Sequence, residues 1–141
     1  MAGPASFSSG PMTLFDVARR GMSAQLVRMN AAASNLANAG TVAASEEATY
    51  RPIRAVFSEQ LDRASGLATV QVSAVVRENA PAQRQHNPEH PLADANGDVW
   101  TSPVDENAEM VEMLEASRQY QNLVEALSTA KQLMLETMRL K

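Results

Sequence analysis

ENAEMVEMLEASRQYQNLVEALSTAKQLMLETMRLK, residues 106–141, decides the fold of this 141-residue chain. Met110, Met113, Ser117, Tyr120, Val124, Leu127, Ala130, Met134 and Met138 recur in alternating steps of three and four, which traces one stripe on an α-helix. At about 1.5 Å per residue that helix reaches roughly 50 Å, longer than a compact domain of this size is wide. Asp105 stands where an N-cap belongs, Glu106 and Glu109 fall in the first turn, and Arg139 and Lys141 close the far end, all in accord with the helix dipole. The stretch predicts a helix over 106–140.

A matching stripe lies near the other terminus, in TLFDVARRGMSAQLVRMNAAASNLAN, residues 13–38. Phe15, Ala18, Met22, Leu26, Met29, Ala33 and Leu36 share one narrow face. Thr13 and Asp16 have the spacing of a capping box, Pro11 precedes them, and Asn38 and Gly40 mark the end. Gly21 inside the helix costs about 1 kcal/mol relative to alanine, so packing must stabilise that segment. Ser117, polar within an apolar stripe, suits close approach between helices.

Between the helices the period changes. Residues 41–49 have no amphipathic register and read as a loop, and Pro52 forces Tyr50 to Ile53 to be extended. Ile53, Ala55 and Phe57 suggest a strand. Val70, Val72, Ala74 and Val76 alternate with polar neighbours and predict a half-buried strand over 67–78. A third short strand holds Val99, Trp100 and Thr101, with Asn96-Gly97 making Ala93 to Trp100 a hairpin corner. The expected organisation is a disordered lead over 1–12, one helical domain made of 13–38 and 106–140, and a loop with a small β insert over 39–104. The fold class is mainly α.

Composition narrows the function. Apolar residues make up 45% of the chain and aromatic ones only 4%, a balance that suits helix seams better than a dense core. The net charge is −4 and the twelve basic residues are scattered, so neither nucleic acid nor an anionic membrane is an expected partner. With no cysteine, disulfides, thiolate metal sites and cysteine nucleophiles are excluded together. Residues 1–11 carry no Lys or Arg and no apolar run, unlike a cleavable signal peptide. No stretch approaches the roughly 18 apolar residues of a membrane span.

Two motifs invite a metal reading. His86-Asn87-Pro88-Glu89-His90 matches the H-x-x-E-H pattern of a zinc peptidase class, but Pro88 and Pro91 break the helix which that geometry requires. Asp94-Ala95-Asn96-Gly97-Asp98 has its glycine at the fourth position instead of the sixth and Asp105 at the twelfth, so no calcium ring closes. Both segments read as turns. The methionines at helical spacing read as seam residues. No catalytic residue, cofactor or metal is expected, and the chain is not an enzyme.

Ser34-Asn35-Leu36-Ala37-Asn38 resembles the motif shared by the axial proteins of the bacterial flagellum, the rod and hook subunits. Asn87-Pro88-Glu89-His90-Pro91-Leu92-Ala93-Asp94-Ala95-Asn96-Gly97-Asp98-Val99 is similar to one proximal-rod member, as are Glu109-Met110-Val111-Glu112-Met113, Ala116-Ser117-Arg118-Gln119-Tyr120 and Thr129-Ala130-Lys131-Gln132-Leu133-Met134. The likeness spans about residues 12–141. One departure is a longer loop between Thr41 and Tyr50, with neither Pro nor Gly, where the family has a tight turn. The resemblance implies a structural subunit of the basal-body rod that carries torque from motor to hook. It implies export by the flagellar type III apparatus without a cleaved signal, and assembly in the periplasm. Implied partners are other rod proteins, the adaptor joining rod to membrane ring, and further copies of the chain. It also implies that the terminal helices pair as an antiparallel coiled coil, in which the two stripes are expected to set Phe15, Met22, Leu26, Met29 and Leu36 facing Met113, Tyr120, Val124, Leu127 and Met134. The alternative is a homo-oligomeric cytoplasmic coiled-coil adaptor, which has no need of the Asn-Leu-Ala-Asn segment at 35–38.

Overall fold

The computed structural model describes residues 13–140, so the expectation of a disordered lead over 1–12 lies outside the described residues. The elements are α1 (Leu14–Ala37), β1 (Val42–Ala43), β2 (Ile53–Asp62), β3 (Leu67–Arg77), β4 (Gln83–His86), β5 (Asp98–Thr101) and α2 (Glu106–Arg139). Both helices start on the caps written in the sequence. Thr13 and Asp16 exchange hydrogen bonds in a full capping box, and the Asp105 carboxylate accepts the amides of Asn107 and Ala108. The Thr13 amide, followed by Arg19, holds the Asp16 carboxyl down at about 2.

The β component is larger than a small insert, which corrects the mainly α expectation. Five strands form two antiparallel sheets, one a β2–β3 ribbon and the other a three-stranded sheet in the order β1-β5-β4. The ribbon runs in register from Ile53 opposite Arg77 to Asp62 opposite Leu67, with a bulge after Val56. Ser73 is the extra residue there, and its hydroxyl donates to the Val56 carbonyl at 3.1 Å. The sequence pattern of β2 fades after Phe57 because Ser58, Glu59 and Gln60 are polar, yet pairing with β3 carries the strand to Asp62. β4 is Gln-Arg-Gln-His, fully exposed, and has no apolar alternation to read. The supposed loop over 41–49 contains β1, which pairs with β5 through Val42 opposite Thr101. The expected corner at 93–100 turns at Asp94 to Gly97, where the Gly97 amide donates to the Asp94 carbonyl at 3.0 Å, within the longer connection 87–97 of the β4–β5 pair.

The expected coiled coil is a second correction. α1 and α2 do lie side by side in opposite directions: Leu14, Val17 and Ala18 line a small apolar recess with Leu123, Ala126, Leu127 and Ala130, while Leu36 lies beside Met110 and Met113. The contact is made by small residues. α1 buries Ala18, Ala24, Ala31, Ala32 and Asn35, and α2 buries only Glu109 and Ala116. Of the expected seam, Leu26, Val124 and Met134 are exposed by 41%, 41% and 45%. The physical reason is that α1 is covered twice, by α2 on one side and by the β2–β3 ribbon on the other, so no single row of large knobs can serve both.

Gly21 shows how close the helices come. A Cβ there would sit 3.0 Å from Leu123 Cδ1. Gly21→Leu should therefore destabilise the protein by about 1–3 kcal/mol through overpacking. Leu123→Ala added to it should recover part of that loss in urea unfolding, and a Gly21→Leu protein as stable as the parent would refute the close approach.

Candidate functional site

Three of the four largest fully buried side chains are polar: Glu109, Asn35 and Thr69, with Val99 the exception. Two of them meet the same short stretch of chain, residues 50–54. Asn35, in the last turn of α1, donates from Nδ2 to the Ile53 carbonyl at 3.0 Å and accepts the Ile53 amide at Oδ1, 2.9 Å. The side chain thus pairs with backbone as a neighbouring strand would. Its Oδ1 also accepts the Tyr50 hydroxyl at 2.8 Å, and that hydroxyl lies 3.1 Å from Ser34 Oγ. Asn38 donates its side-chain amide to the Ser34 carbonyl and closes the helix. Ser102, also buried, donates its hydroxyl to the Tyr50 carbonyl at 2.9 Å and so ties the end of β5 to the same stretch.

Arg54, one residue after Ile53, reaches α2. It forms a two-pronged pair with the buried Glu109, Nη1 to Oε2 at 3.0 Å, and a further contact to Glu78 at 3.2 Å. A second two-pronged pair crosses between the helices, Arg28 to Glu112, with Glu115 at 3.6 Å. The hydrogen bond from Arg28 holds the Glu112 carboxyl below its usual range, and the Glu109 bond raises Arg54 above its own. Arg77 completes the surface of the junction, its guanidinium 5.3 Å from the centre of the Tyr50 ring.

The other motif segment, 87–98, is a loop closed on itself. The Asp94 carboxylate accepts the amides of Asn96 and Asp98, both at 2.9 Å, and His90 Nδ1 accepts the Leu92 amide at 3.0 Å. His86 lies on β4 with Nδ1 2.9 Å from Asp98 Oδ1. The two histidines therefore sit on a strand and in a turn, away from any helix, and among the described residues no group of three His, Asp or Glu side chains is placed to hold a metal. Gly97 has φ of 79°, and a Cβ there would meet His86 Cε1 and Pro88 Cγ at 3.1 Å. Asn87, Pro88, His90, Pro91, Asp94 and Gly97 thus belong to one corner beside β5, closed by its own hydrogen bonds.

The remaining expected residues are spread along the helices. Phe15, Met22, Met29, Leu36, Met113, Tyr120 and Leu127 are half-buried, while Met110, next to Glu109, is exposed, as is Ala37. The sequence names none of Arg28, Arg54 and Tyr50 as partners. A signal did exist that Glu109 has one. Glu109 lies in step with Met113, Ala116, Tyr120 and Leu123, so a charged residue occupies an inward position of the helix and demands a counter-charge.

The geometry is a set of side-chain clamps between α1, α2 and the ribbon. A family model described as flagella basal body rod protein matches residues 15–44, and one described as flagellar basal body rod FlgEFG protein C-terminal matches 95–140. These cover α1 with β1, and β5 with α2. The flagellar basal-body rod protein FlgC of Salmonella typhimurium is 44% identical over 131 residues, 92% of this chain and 96% of that protein. The chain belongs to the FlgC family of flagellar basal-body rod proteins. FlgC of Yersinia enterocolitica is 40% identical over 92% of the chain and 96% of its own length. FlgC of Buchnera aphidicola subsp. Acyrthosiphon pisum is 32% identical over 90% and 95%. The family is structural, not enzymatic.

The Arg54–Glu109 pair makes an asymmetric prediction. Arg54→Met strands a buried carboxylate and should cost about 3–5 kcal/mol, whereas Glu109→Leu should cost less because Arg54 keeps Glu78 and water. The double variant should lose less than the sum of the two in urea unfolding. Strict additivity would mean that the pair is not coupled.

Proposed function

We propose that this protein is a structural subunit of the rod of the flagellar basal body, held in the polymer through surfaces of its terminal helices and transmitting torque from motor to hook. The observation that carries this reading, beside the family, is the inversion of side-chain size. The buried apolar residues are alanines apart from Val99, while Leu14, Leu61, Val111, Leu114, Leu133, Met138 and other large apolar residues lie exposed. Large apolar side chains gathered along the helices in this way support surfaces that meet protein. Assembly against other rod proteins, the adaptor of the membrane ring and further copies would cover them. Delivery by the flagellar type III apparatus and assembly in the periplasm belong to the same proposal. No helix among the described residues is long and apolar enough to cross a membrane.

Leu26→Asp and Val124→Asp place charge on exposed helix positions. Each variant should keep the parent's circular dichroism spectrum and yet fail to enter purified basal bodies, with loss of swimming in cells that carry it as the sole copy. Normal swimming by both folded variants would contradict assembly through the helices.

A further inference from the structure

Asn96-Gly97 is the only Asn-Gly pair in the chain, and Asn96 is exposed on the corner beside β5. Asparagine before glycine is the dipeptide most open to spontaneous ring closure, because no Cβ on the second residue shields its backbone nitrogen. In the folded corner that nitrogen is engaged. The Gly97 amide donates to the Asp94 carbonyl at 3.0 Å, which closes a four-residue turn with Asn96 in its third position. The Asp94 carboxylate fixes the peptides on either side by accepting the Asn96 and Asp98 amides, both at 2.9 Å. His86 and Pro88 stand so close to Gly97 that a Cβ there would meet them at 3.1 Å. The Gly97 carbonyl, in turn, accepts the Asn87 amide at 2.9 Å. We propose that Asn96 is a deamidation site which this corner holds shut, and that deamidation there marks chains whose corner has stayed open.

In the reaction the Gly97 nitrogen gives its proton to solvent base and attacks Asn96 Cγ. The new C–N bond closes a cyclic imide, and Nδ2 leaves as ammonia. Water then opens the ring at either carbonyl, so the net change is amide plus water to carboxylic acid plus ammonia, with nothing oxidised or reduced. While the Gly97 amide donates to Asp94 that approach is blocked, because the Asn96–Gly97 link must first rotate out of the turn. The step therefore passes through local opening of the corner, and its rate follows the open fraction. Ring opening at the main-chain carbonyl leaves isoaspartate, which routes the backbone through the former side chain and lengthens it by a methylene. A chain altered in this way cannot return Gly97 to both its Asp94 and its Asn87 partners, so the corner does not close again beside β5. The device works in one direction only. It needs nothing but the corner, and so stands apart from the rod reading.

Purified protein held in mildly alkaline buffer, with and without guanidinium chloride, tests this by mass spectrometry of the peptide that carries Asn96, fragmented to place the added mass. The parent should convert at least about tenfold more slowly in native buffer than in denaturant, and Asp94→Ala should convert about tenfold faster than the parent in native buffer while keeping its circular dichroism spectrum. Asp94→Asn, which keeps an oxygen to accept the amides, should regain most of the protection. Parent converted in denaturant and returned to native buffer should have an isoaspartate fraction whose Asn87 amide exchanges freely. Equal parent rates in the two buffers, or a folded Asp94→Ala as slow as the parent, would overturn the proposal. So would isoaspartate chains whose Asn87 amide is as protected as in the unmodified protein.

Discussion

Asn35 has no exposed surface, and its amide is spent on the two backbone groups of Ile53 and the hydroxyl of Tyr50. That one side chain fixes where β2 begins relative to the end of α1. The next residue, Arg54, fixes the same point relative to α2 through Glu109. Two polar contacts within two residues of chain therefore set the position of the ribbon against both helices. A buried amide or carboxylate accepts few arrangements, since each unmet bond costs about 1–3 kcal/mol or more. Specificity of placement comes from these groups.

The remainder of the interior agrees with that division of labour. Alanines and Gly21 bring helix backbones together but bury little apolar area, so they permit a geometry more than they drive it. The large apolar side chains that could drive it lie mostly outside. In a self-contained domain this would be a poor exchange. On the assembly proposed above, the outer skin would become interior in the rod, and the polar junction would hold the subunit's shape until then. The corner at 87–98, with Asp94 and Gly97 at its centre, gives β5 a fixed end from which Ser102 and the cap of α2 follow.

Much of this was legible in the residues. The helix limits followed from Thr13, Asn38 and Asp105, whose side chains act on neighbouring backbone. The axial superfamily followed from Asn35 and its flanking residues, and its proximal-rod member from residues 87–99, 109–120 and 129–134. What stayed hidden was long-range. β4 has no apolar residue, β1 is two residues long, and the far half of β2 is polar, so each exists because of a partner that local pattern cannot name. The coiled-coil expectation failed for a related reason: a stripe of Met, Leu and Val at helical spacing announces a face to be buried, without saying whether the cover belongs to the same chain. Leu26 and Val124 follow the stripe and remain exposed, while Ala24 and Ala31, off it, are buried, Ala24 beside Gln71 and Val72 of the ribbon.

The central claim is that Asn35 clamps the ribbon to the helix pair. Amide hydrogen exchange in the parent and in Asn35→Ala tests it most directly, read at Ile53 and at the tip of the ribbon. In Asn35→Ala the Ile53 amide should lose protection by about two orders of magnitude, the equivalent of roughly 2–3 kcal/mol, and the ribbon should open separately from α1 and α2. An Ile53 amide as protected in Asn35→Ala as in the parent would contradict it.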